Sequence, residues 1–150
     1  MAIVRTAGTE IIRCQHFTDV DGSADTKILI GEQHHIYTVL SIIIYAETLG
    51  ASTSYCNVNL VGYDSKGGTT AQTMRLFRGY PQQYETFVWN DKFSFNGFEP
   101  TDFTGTMDAV DDQNAIADQG SSVAQYLVTS CPHANDSYRV FITYIDQNNA

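Results

Sequence analysis

Two histidine-containing pairs are the first places in the chain where side chains could do chemistry. Cys14 and His16 lie two residues apart, so on a strand they share one face, as a thiol nucleophile and its base would. No neighbouring group would stabilise the thiolate or orient the histidine, so two ordinary strand side chains are the favoured interpretation. His34 and His35 are adjacent, and on a strand they point to opposite faces and cannot both bind one metal ion. We therefore expect no catalytic residue and no metal ligand here.

Clustered carboxylates suggest calcium at two places. Asp19, Asp21 and Asp25 surround Gly22, and hard cations bind several oxygen ligands, but the spacing is not that of an EF-hand loop. A solvated turn is the favoured interpretation. Residues 98–123 contain no basic residue and these acidic ones: Glu99, Asp102, Asp108, Asp111, Asp112 and Asp118. We interpret 98–123 as a long insertion between two strands that contacts a partner or solvent, and cation binding there stays open.

Aromatic residues between positions 89 and 98 offer a third kind of chemistry, the stacking of sugar rings. Aromatic side chains on paired strands belong more often to the core or to a subunit interface. The residues concerned are Trp89, Phe93, Phe95 and Phe98. The sequence has no glycine-rich phosphate loop, no paired-carboxylate motif and no nucleophile elbow, so we predict neither an enzyme nor a cofactor.

The composition restricts the partners. The chain has 150 residues and a formal net charge of −9, and its eight basic residues are scattered. Nucleic acids and anionic membranes require clustered Lys and Arg, so we exclude both as partners. Three cysteines without a CxxC spacing predict free thiols in a reducing compartment. The first residues lack the apolar core of a signal peptide, so we expect assembly in a cytosol.

The segment from Ile36 to Tyr45 is the element around which the other segments are predicted to fold. It is rich in β-branched and aromatic residues and contains neither Gly nor Pro, which favours a central strand covered on both faces. Strict alternation predicts that Ile36, Leu40, Ile42 and Ile44 share one face and that Tyr37, Val39, Ile43 and Tyr45 share the other.

Further short segments show β-type patterns separated by turn residues. They predict eight or nine strands and no well-formed helix, and so an all-β antiparallel sandwich or barrel. We divide the chain into an N-terminal arm, 1–9, and a single β-sandwich domain, 10–150, and expect a polar tail from Asp146 onward. The predicted strands are 11–17, 26–30, 36–47, 56–60, 73–78, 85–89, 92–95, 124–129 and 137–145.

The order of these segments resembles that of small virion proteins of tailed phages. The resemblance rests on these segments, in chain order: Lys27–Ile30, Tyr37-Thr38-Val39 at the start of the central strand, Cys56, Val58 and Leu60 before the turn Asp64-Ser65-Lys66-Gly67, Tyr84–Trp89 with Asp91-Lys92-Phe93, and the ending Tyr138–Asp146. It implies a jelly-roll-like β-sandwich that belongs to the virion, as capsid cement or decoration proteins do, assembled in the host cytoplasm. The implied partner is the major capsid protein, and the implied oligomer is a homotrimer.

Three functions follow as alternatives. The first is a capsid cement or decoration subunit that stabilises the phage head lattice by protein–protein contacts. The second is a tail- or neck-associated, adhesin-like sandwich that binds host surface glycans. A cupin-type metalloenzyme is the least favoured, because its His/Glu ligand spacing is missing. For the interaction residues we predict the arm and the acidic insertion: Ile3, Val4, Arg5, Asp102, Asp108, Asp111 and Asp112.

Overall fold

The computed structural model describes residues 8–63, 72–99 and 123–148, which form nine strands and contain no helix. Accordingly, these ranges hold no helix long and apolar enough to cross a membrane. The strands are β1 (Thr9–Val20), β2 (Thr26–Ile30), β3 (His35–Thr48), β4 (Cys56–Tyr63), β5 (Gln72–Gly79), β6 (Thr86–Trp89), β7 (Phe93–Asn96), β8 (Tyr126–Ser130) and β9 (Ser137–Asn148).

The strands form two antiparallel sheets, which confirms the predicted all-β sandwich. The five-stranded sheet has the order β1-β9-β3-β6, with β7 also paired to β3, and the four-stranded sheet has the order β2-β8-β4-β5. All connections cross from one sheet to the other except β4–β5 and β6–β7. Each predicted strand is present, and β2 has the bounds that the sequence pattern predicts.

β3 is the central strand, as predicted, because it pairs with β9 on one side and with β6 and β7 on the other. The predicted faces are wrong beyond Val39. The register of β3 against β9 shifts between Val39 and Ser41, so Leu40 is the extra residue of a β-bulge. The core face therefore consists of Tyr37, Val39, Ile42, Ile44 and Ala46.

The core lies between the two sheets and is mostly aliphatic. Ile28 of β2, Ile42 of β3 and Ile142 of β9 are fully buried. Burial of one such side chain contributes about 1.5–3 kcal/mol. The opposite face of β3 is half-buried rather than covered, since no third layer packs on it within the described residues.

β6 and β7 form one edge of the five-stranded sheet in two pieces. β6 pairs with Ile42–Tyr45 and β7 pairs with Ile36–Val39, and the break between them lies opposite the bulge at Leu40. The interruption keeps each edge segment short, which limits uncontrolled pairing with other chains.

The two predicted interaction segments lie mostly outside the described residues. Ile3, Val4 and Arg5 precede the described range, whereas Thr9 belongs to β1 and pairs with Asn148, so the arm ends one residue earlier than predicted. Of the insertion 98–123 the structure describes the two ends. Phe98 and Ala124 form an isolated β-bridge, and the amide of Glu99 donates to the carbonyl of Val123 at 2.9 Å. Asp102, Asp108, Asp111 and Asp112 fall outside.

Candidate functional site

The face of the five-stranded sheet that points away from the core, called here the outer face, carries three adjacent rows of uncharged side chains. The strand register defines the rows, because directly paired residues share a face. The rows are Ile12, Ile145, Thr38 and Ser94; Cys14, Thr143 and Ser41; and His16, Phe141, Ile43 and Val88.

Several apolar side chains in these rows are open to solvent. Ile12 is 65% exposed, Val88 is 54% exposed and Phe141 is 37% exposed. The ring of His16 stacks on that of Phe141 with centroids 4.3 Å apart, which extends the flat surface. An exposed apolar surface of this kind is typical of a protein–protein contact.

Among the paired strand residues that the structure describes on the outer face, charged side chains occur only at the two ends of the face. Glu10 pairs with Gln147 at one end. At the other end Arg139 donates to Glu47, with Nη2 2.8 Å from Oε1, and this contact lowers the pKa of the Glu47 carboxyl. On a chain with net charge −9, the middle of this face is therefore a surface that a second copy can approach without like-charge repulsion.

A second candidate is a groove of about 500 Å³ where the sheets separate between β1 and β2. Its polar lining includes Arg13, Gln15, Lys27, Glu32 and Asp146. A volume of this size falls in the range of small-molecule sites. The groove exists because β2 is much shorter than β1, so the inward face of β1 is left uncovered near Arg13.

Asp146 holds one end of this groove together. Its carboxylate accepts a hydrogen bond from Arg13 Nε at 3.0 Å and lies 2.6 Å from His35 Nδ1, which donates to it. His35 Nε2 also lies 3.6 Å from a carboxylate oxygen of Glu32. The side chain of Asp146 is 5% exposed and that of Arg13 is 48% exposed, so a buried carboxylate is fixed by a half-exposed cation.

Two tyrosines line the groove beside this cluster. Burial, followed by the charge of Asp146, raises the pKa of Tyr37, and burial likewise raises the pKa of Tyr144. Both hydroxyls therefore stay protonated at any physiological pH. The hydroxyl of Tyr37 accepts a hydrogen bond from the amide of Glu32 at 3.1 Å. The contacts of Asp146, His35 and Tyr37 hold this end of the sheet in place.

A third candidate is a patch formed by Tyr55, Arg78 and Tyr80, called here the tyrosine–arginine patch. The guanidinium of Arg78 lies 4.0 Å from the centre of the Tyr55 ring and donates to the Tyr80 hydroxyl at 3.2 Å. The two tyrosine rings meet edge to face with centroids 5.6 Å apart. Tyr and Arg are the residues most enriched where binding energy concentrates in interfaces.

The loop after this patch holds a tyrosine in a strained backbone conformation. Tyr84 has φ = 69°, which costs a non-glycine residue about 1–3 kcal/mol. The conformation is held because the amide of Tyr84 donates to the carbonyl of Ala46 at 2.7 Å and the amide of Ala46 donates to the carbonyl of Glu85 at 3.0 Å. The Tyr84 side chain is 69% exposed, so packing does not explain the strain.

Replacing Tyr84 with glycine is expected to raise the free energy of unfolding by about 0.5–1 kcal/mol, since glycine adopts positive φ without strain. Chemical denaturation of the two proteins measures the difference. Tyr80→Gly is the control at a nearby exposed tyrosine that has no positive φ, and it should not stabilise the fold. A Tyr84→Gly protein less stable than the parent would show that the ring itself supports the loop.

The two histidine-containing pairs lie in different parts of the five-stranded sheet, Cys14 with His16 in β1 and His34 with His35 where β3 begins. Cys14 and His16 are neighbours on the outer face, and the thiol of Cys14 lies 3.6 Å from the hydroxyl of Thr143. His34 has φ = 65° in the turn before β3, while His35 belongs to the Asp146 cluster described above. No additional group turns either pair into a catalytic arrangement among the described residues.

Two of the three carboxylates in the acidic turn near Gly22 make hydrogen bonds within the protein. The carboxylate of Asp21 accepts a hydrogen bond from the amide of Ser23 at 2.7 Å, and that of Asp19 lies 3.4 Å from the hydroxyl of Ser137. In the ranges 8–63, 72–99 and 123–148, no three His, Cys, Asp or Glu side chains come together as a metal site. The carboxylates of the insertion that could bind a cation lie mostly outside these ranges.

Three of the four aromatic candidates pack in a row against the core, and the fourth, Phe98, is half-buried in the β-bridge to Ala124. Trp89 stands between Phe77 and Phe93 at ring distances of 5.5 and 5.4 Å, and Phe93 continues to Phe95 at 5.9 Å. Phe95 is buried, and Trp89 and Phe93 pack against the core, which supports the interpretation as core residues. They are therefore not available as a sugar-stacking platform.

All three cysteines are free thiols, as predicted. Cys56 and Cys131 lie next to the paired residues Asn57 and Ser130 of neighbouring strands, so their thiols meet. A hydrogen bond with Cys56, followed by burial, raises the pKa of Cys131. A protonated thiol is a poor nucleophile, which favours a packing role for Cys131.

Two of the most informative residues were not predicted. The sequence pattern assigns Asp146 to a polar tail, but Asp146 is buried in β9. A signal for its burial exists in the sequence, because every second residue before it is apolar or aromatic. These residues are Tyr138, Val140, Ile142 and Tyr144. Arg78 carried no sequence signal, because its partners Asn57 and Tyr55 come from a different strand and loop.

No protein-family model matches this chain, and no curated protein matches it significantly. Among solved structures the chain is similar to one described as "Bacillus endospore appendages form a novel family of disulfide-linked pili", with 12% sequence identity and a TM-score of 0.40. The alignment covers 100% of this chain and 97% of that chain. The sandwich described above rests on its own strand pairing.

Proposed function

We propose that this chain is a structural protein of a phage particle, a cement or decoration subunit that stabilises the head lattice through protein–protein contacts. The observation that carries the proposal is the outer face, where three rows of uncharged side chains leave Ile12, Val88 and Phe141 open to solvent. Such a surface is suited to a second copy of the chain, and a homotrimer is the form proposed.

The strand order also supports this role. We propose that the sandwich is a jelly roll, a fold with two Greek keys that is common in viral capsids. The strand order β1-β9-β3-β6 in one sheet and β2-β8-β4-β5 in the other supports this proposal. The major capsid protein is the proposed second partner. The arm and the acidic insertion, with Ile3 and Asp108 among their residues, are its proposed points of contact.

A charged residue in the middle of the outer face is expected to abolish self-association. Val88→Asp and Phe141→Asp place carboxylates in the proposed interface between copies of the chain, so light scattering should report a monomer where the parent protein forms an oligomer. Ile30→Asp is the control, because Ile30 is 58% exposed but belongs to the other sheet, and it should leave the oligomer intact. An oligomer that persists in both test variants would remove the outer face as the interface.

The particle role has its own test. Quantification of the protein in purified particles should give a copy number comparable to that of the major capsid protein if it is cement. A copy number far below that would instead fit a tail or neck component.

A second candidate function is a tail- or neck-associated protein that binds host surface glycans. One observation favours it, namely the tyrosine–arginine patch, which combines exposed aromatic rings with a positioned cation. Binding of the purified protein to an array of saccharides, measured beside an unrelated β-sandwich protein, tests it.

A further inference from the structure

The guanidinium of Arg78 is held in one orientation by contacts on three sides. Its Nε donates to the side-chain oxygen of Asn57 at 2.7 Å, and its Nη1 donates to the hydroxyl of Tyr80 at 3.2 Å. Asn57 is buried and is itself held by Ser130, with Nδ2 3.4 Å from the hydroxyl oxygen. The ring of Tyr55 supports the flat side of the guanidinium. A side chain fixed in this way loses little conformational entropy when it binds a ligand.

Two other arginines have anionic partners among the described residues, and Arg78 has none there. Arg13 is paired with Asp146 and Arg139 with Glu47, whereas the described residues give Arg78 no carboxylate partner. The hydrogen bond with Tyr80 raises the pKa of Arg78, and no carboxylate contributes to that shift. A guanidinium has five N–H donors, and the contacts above engage only those on Nε and Nη1.

We propose that Arg78 binds the carboxylate of an acidic saccharide, such as a uronic or sialic acid, with Tyr80 beside it. A planar guanidinium with adjacent donors matches a carboxylate in two parallel hydrogen bonds. The inference rests on the glycan-binding candidate and names its residues and ligand class.

A saccharide fits this patch better than a protein surface does. A stable protein interface buries about 1,600 Å² in total around an apolar centre. Here the exposed ring is that of Tyr80, at 63%, and the loop that follows it contains Pro81, Gln82 and Gln83. One sugar ring needs only an aromatic face and a few donors, which this loop supplies.

The test uses a matched pair of ligands. The first is an oligosaccharide that ends in glucuronic acid, and the second is the same oligosaccharide with that carboxyl group reduced to an alcohol. Each is titrated into the labelled protein while the NMR signal of the Arg78 Nε–H group is followed. The acidic ligand should shift that signal and bind about tenfold or more tightly than its reduced form, since a charged hydrogen-bonded pair is lost in the latter.

Three variants assign the binding to the positioned guanidinium. Arg78→Gln should weaken binding of the acidic oligosaccharide about tenfold or more, and Arg78→Lys should also weaken it because an ammonium lacks the two-pronged geometry. Arg75→Gln is the matched control, because Arg75 is an exposed cation on the same strand, and its effect should stay within about twofold. Circular-dichroism melts of all variants confirm that each one is folded.

The outcomes separate the inference from the function on which it rests. Equal binding of the acidic and reduced ligands, or equal losses in Arg75→Gln and Arg78→Gln, would overturn the acidic-saccharide site while leaving glycan binding in place. Failure of every saccharide to bind would overturn both. A shift of the Arg78 signal by an acidic peptide, with no shift by the saccharide, would show that the ligand is a protein carboxylate and overturn the saccharide assignment.

Discussion

Replacing Gly31 with alanine is expected to prevent the protein from folding. A Cβ at Gly31 would overlap the carbonyl oxygen of Gly97, and a Cβ at Gly97 would overlap the carbonyl oxygen of Glu32. Because the obstructing atoms belong to the backbone, no side-chain rotation relieves the overlap. The chains must separate, at the expense of the 2.8 Å hydrogen bonds that join Gly31 to Gln125 and Gln125 to Gly97. We expect a loss of about 4 kcal/mol or more from strain and broken hydrogen bonds.

The soluble yield and the thermal unfolding midpoint measure this effect. Gly79→Ala is the matched control, since the nearest atom to a Cβ there is Phe87 Cγ at 3.7 Å, an ordinary contact. That variant should fold and melt close to the parent protein. If Gly31→Ala or Gly97→Ala melted like Gly79→Ala, the close approach of the three chain segments would not exist in solution.

The strands of this fold were predictable because the residue pattern that identifies a strand lies within the strand itself and in the turns beside it. Alternation and turn residues are properties of neighbouring positions, so β2 and the extended central strand could be recognised without knowledge of their partners. The crossing at Gly31 and Gly97 could not be recognised in this way. Each glycine follows a strand and looks like an ordinary turn residue, and only the pairing of both with the region of Gln125 shows why no side chain fits.

The face of the central strand was mispredicted because of a single residue. Alternation has a period of two, so one extra residue at Leu40 transfers every later side chain to the other face. The bulge arises between β3 and β9, where Leu40 lies opposite Thr143 and Tyr144, which are more than a hundred residues away along the chain. No residue pattern within β3 predicts the bulge. The three consecutive isoleucines Ile42, Ile43 and Ile44 are apolar enough to lie on either the core face or the outer face.

The candidate sites also differ in whether they depend on local sequence or on the pairing of distant strands. The free state of the three cysteines could be predicted from their number and spacing. By contrast, the outer face depends on register, which places Val88, Ile43 and Phe141 in one row from three separate strands. The tyrosine–arginine patch depends on the packing of a loop on a strand pair. Sequence patterns identify elements, and these surfaces arise from pairing between elements.

Replacing Asp146 with alanine is expected to lower the free energy of unfolding by about 2–3 kcal/mol. The carboxylate is 5% exposed and holds Arg13 and His35 at 3.0 and 2.6 Å. Its removal leaves two hydrogen-bond donors at the end of the groove without their acceptor, and one of them, on His35, is largely buried. This loss of stability is smaller than for a fully buried ion pair, because Arg13 is half-exposed and its guanidinium regains hydrogen bonds to water. The thermal midpoint should fall by about 5–10 °C.

Two further variants identify the cause of this loss. Glu47→Ala removes the carboxylate of a second Arg–carboxylate contact between neighbouring strands, that with Arg139. It should change the midpoint little, because both of these side chains are partly open to solvent and such an ion pair contributes little to stability. Asp146→Asn keeps the shape and one acceptor oxygen for Arg13, while its amide group can donate to a neutral His35 ring that presents an unprotonated Nδ1. Asp146→Asn should therefore be less harmful than Asp146→Ala. If Glu47→Ala and Asp146→Ala lowered the midpoint equally, burial of the Asp146 carboxylate would not be what makes this contact strong.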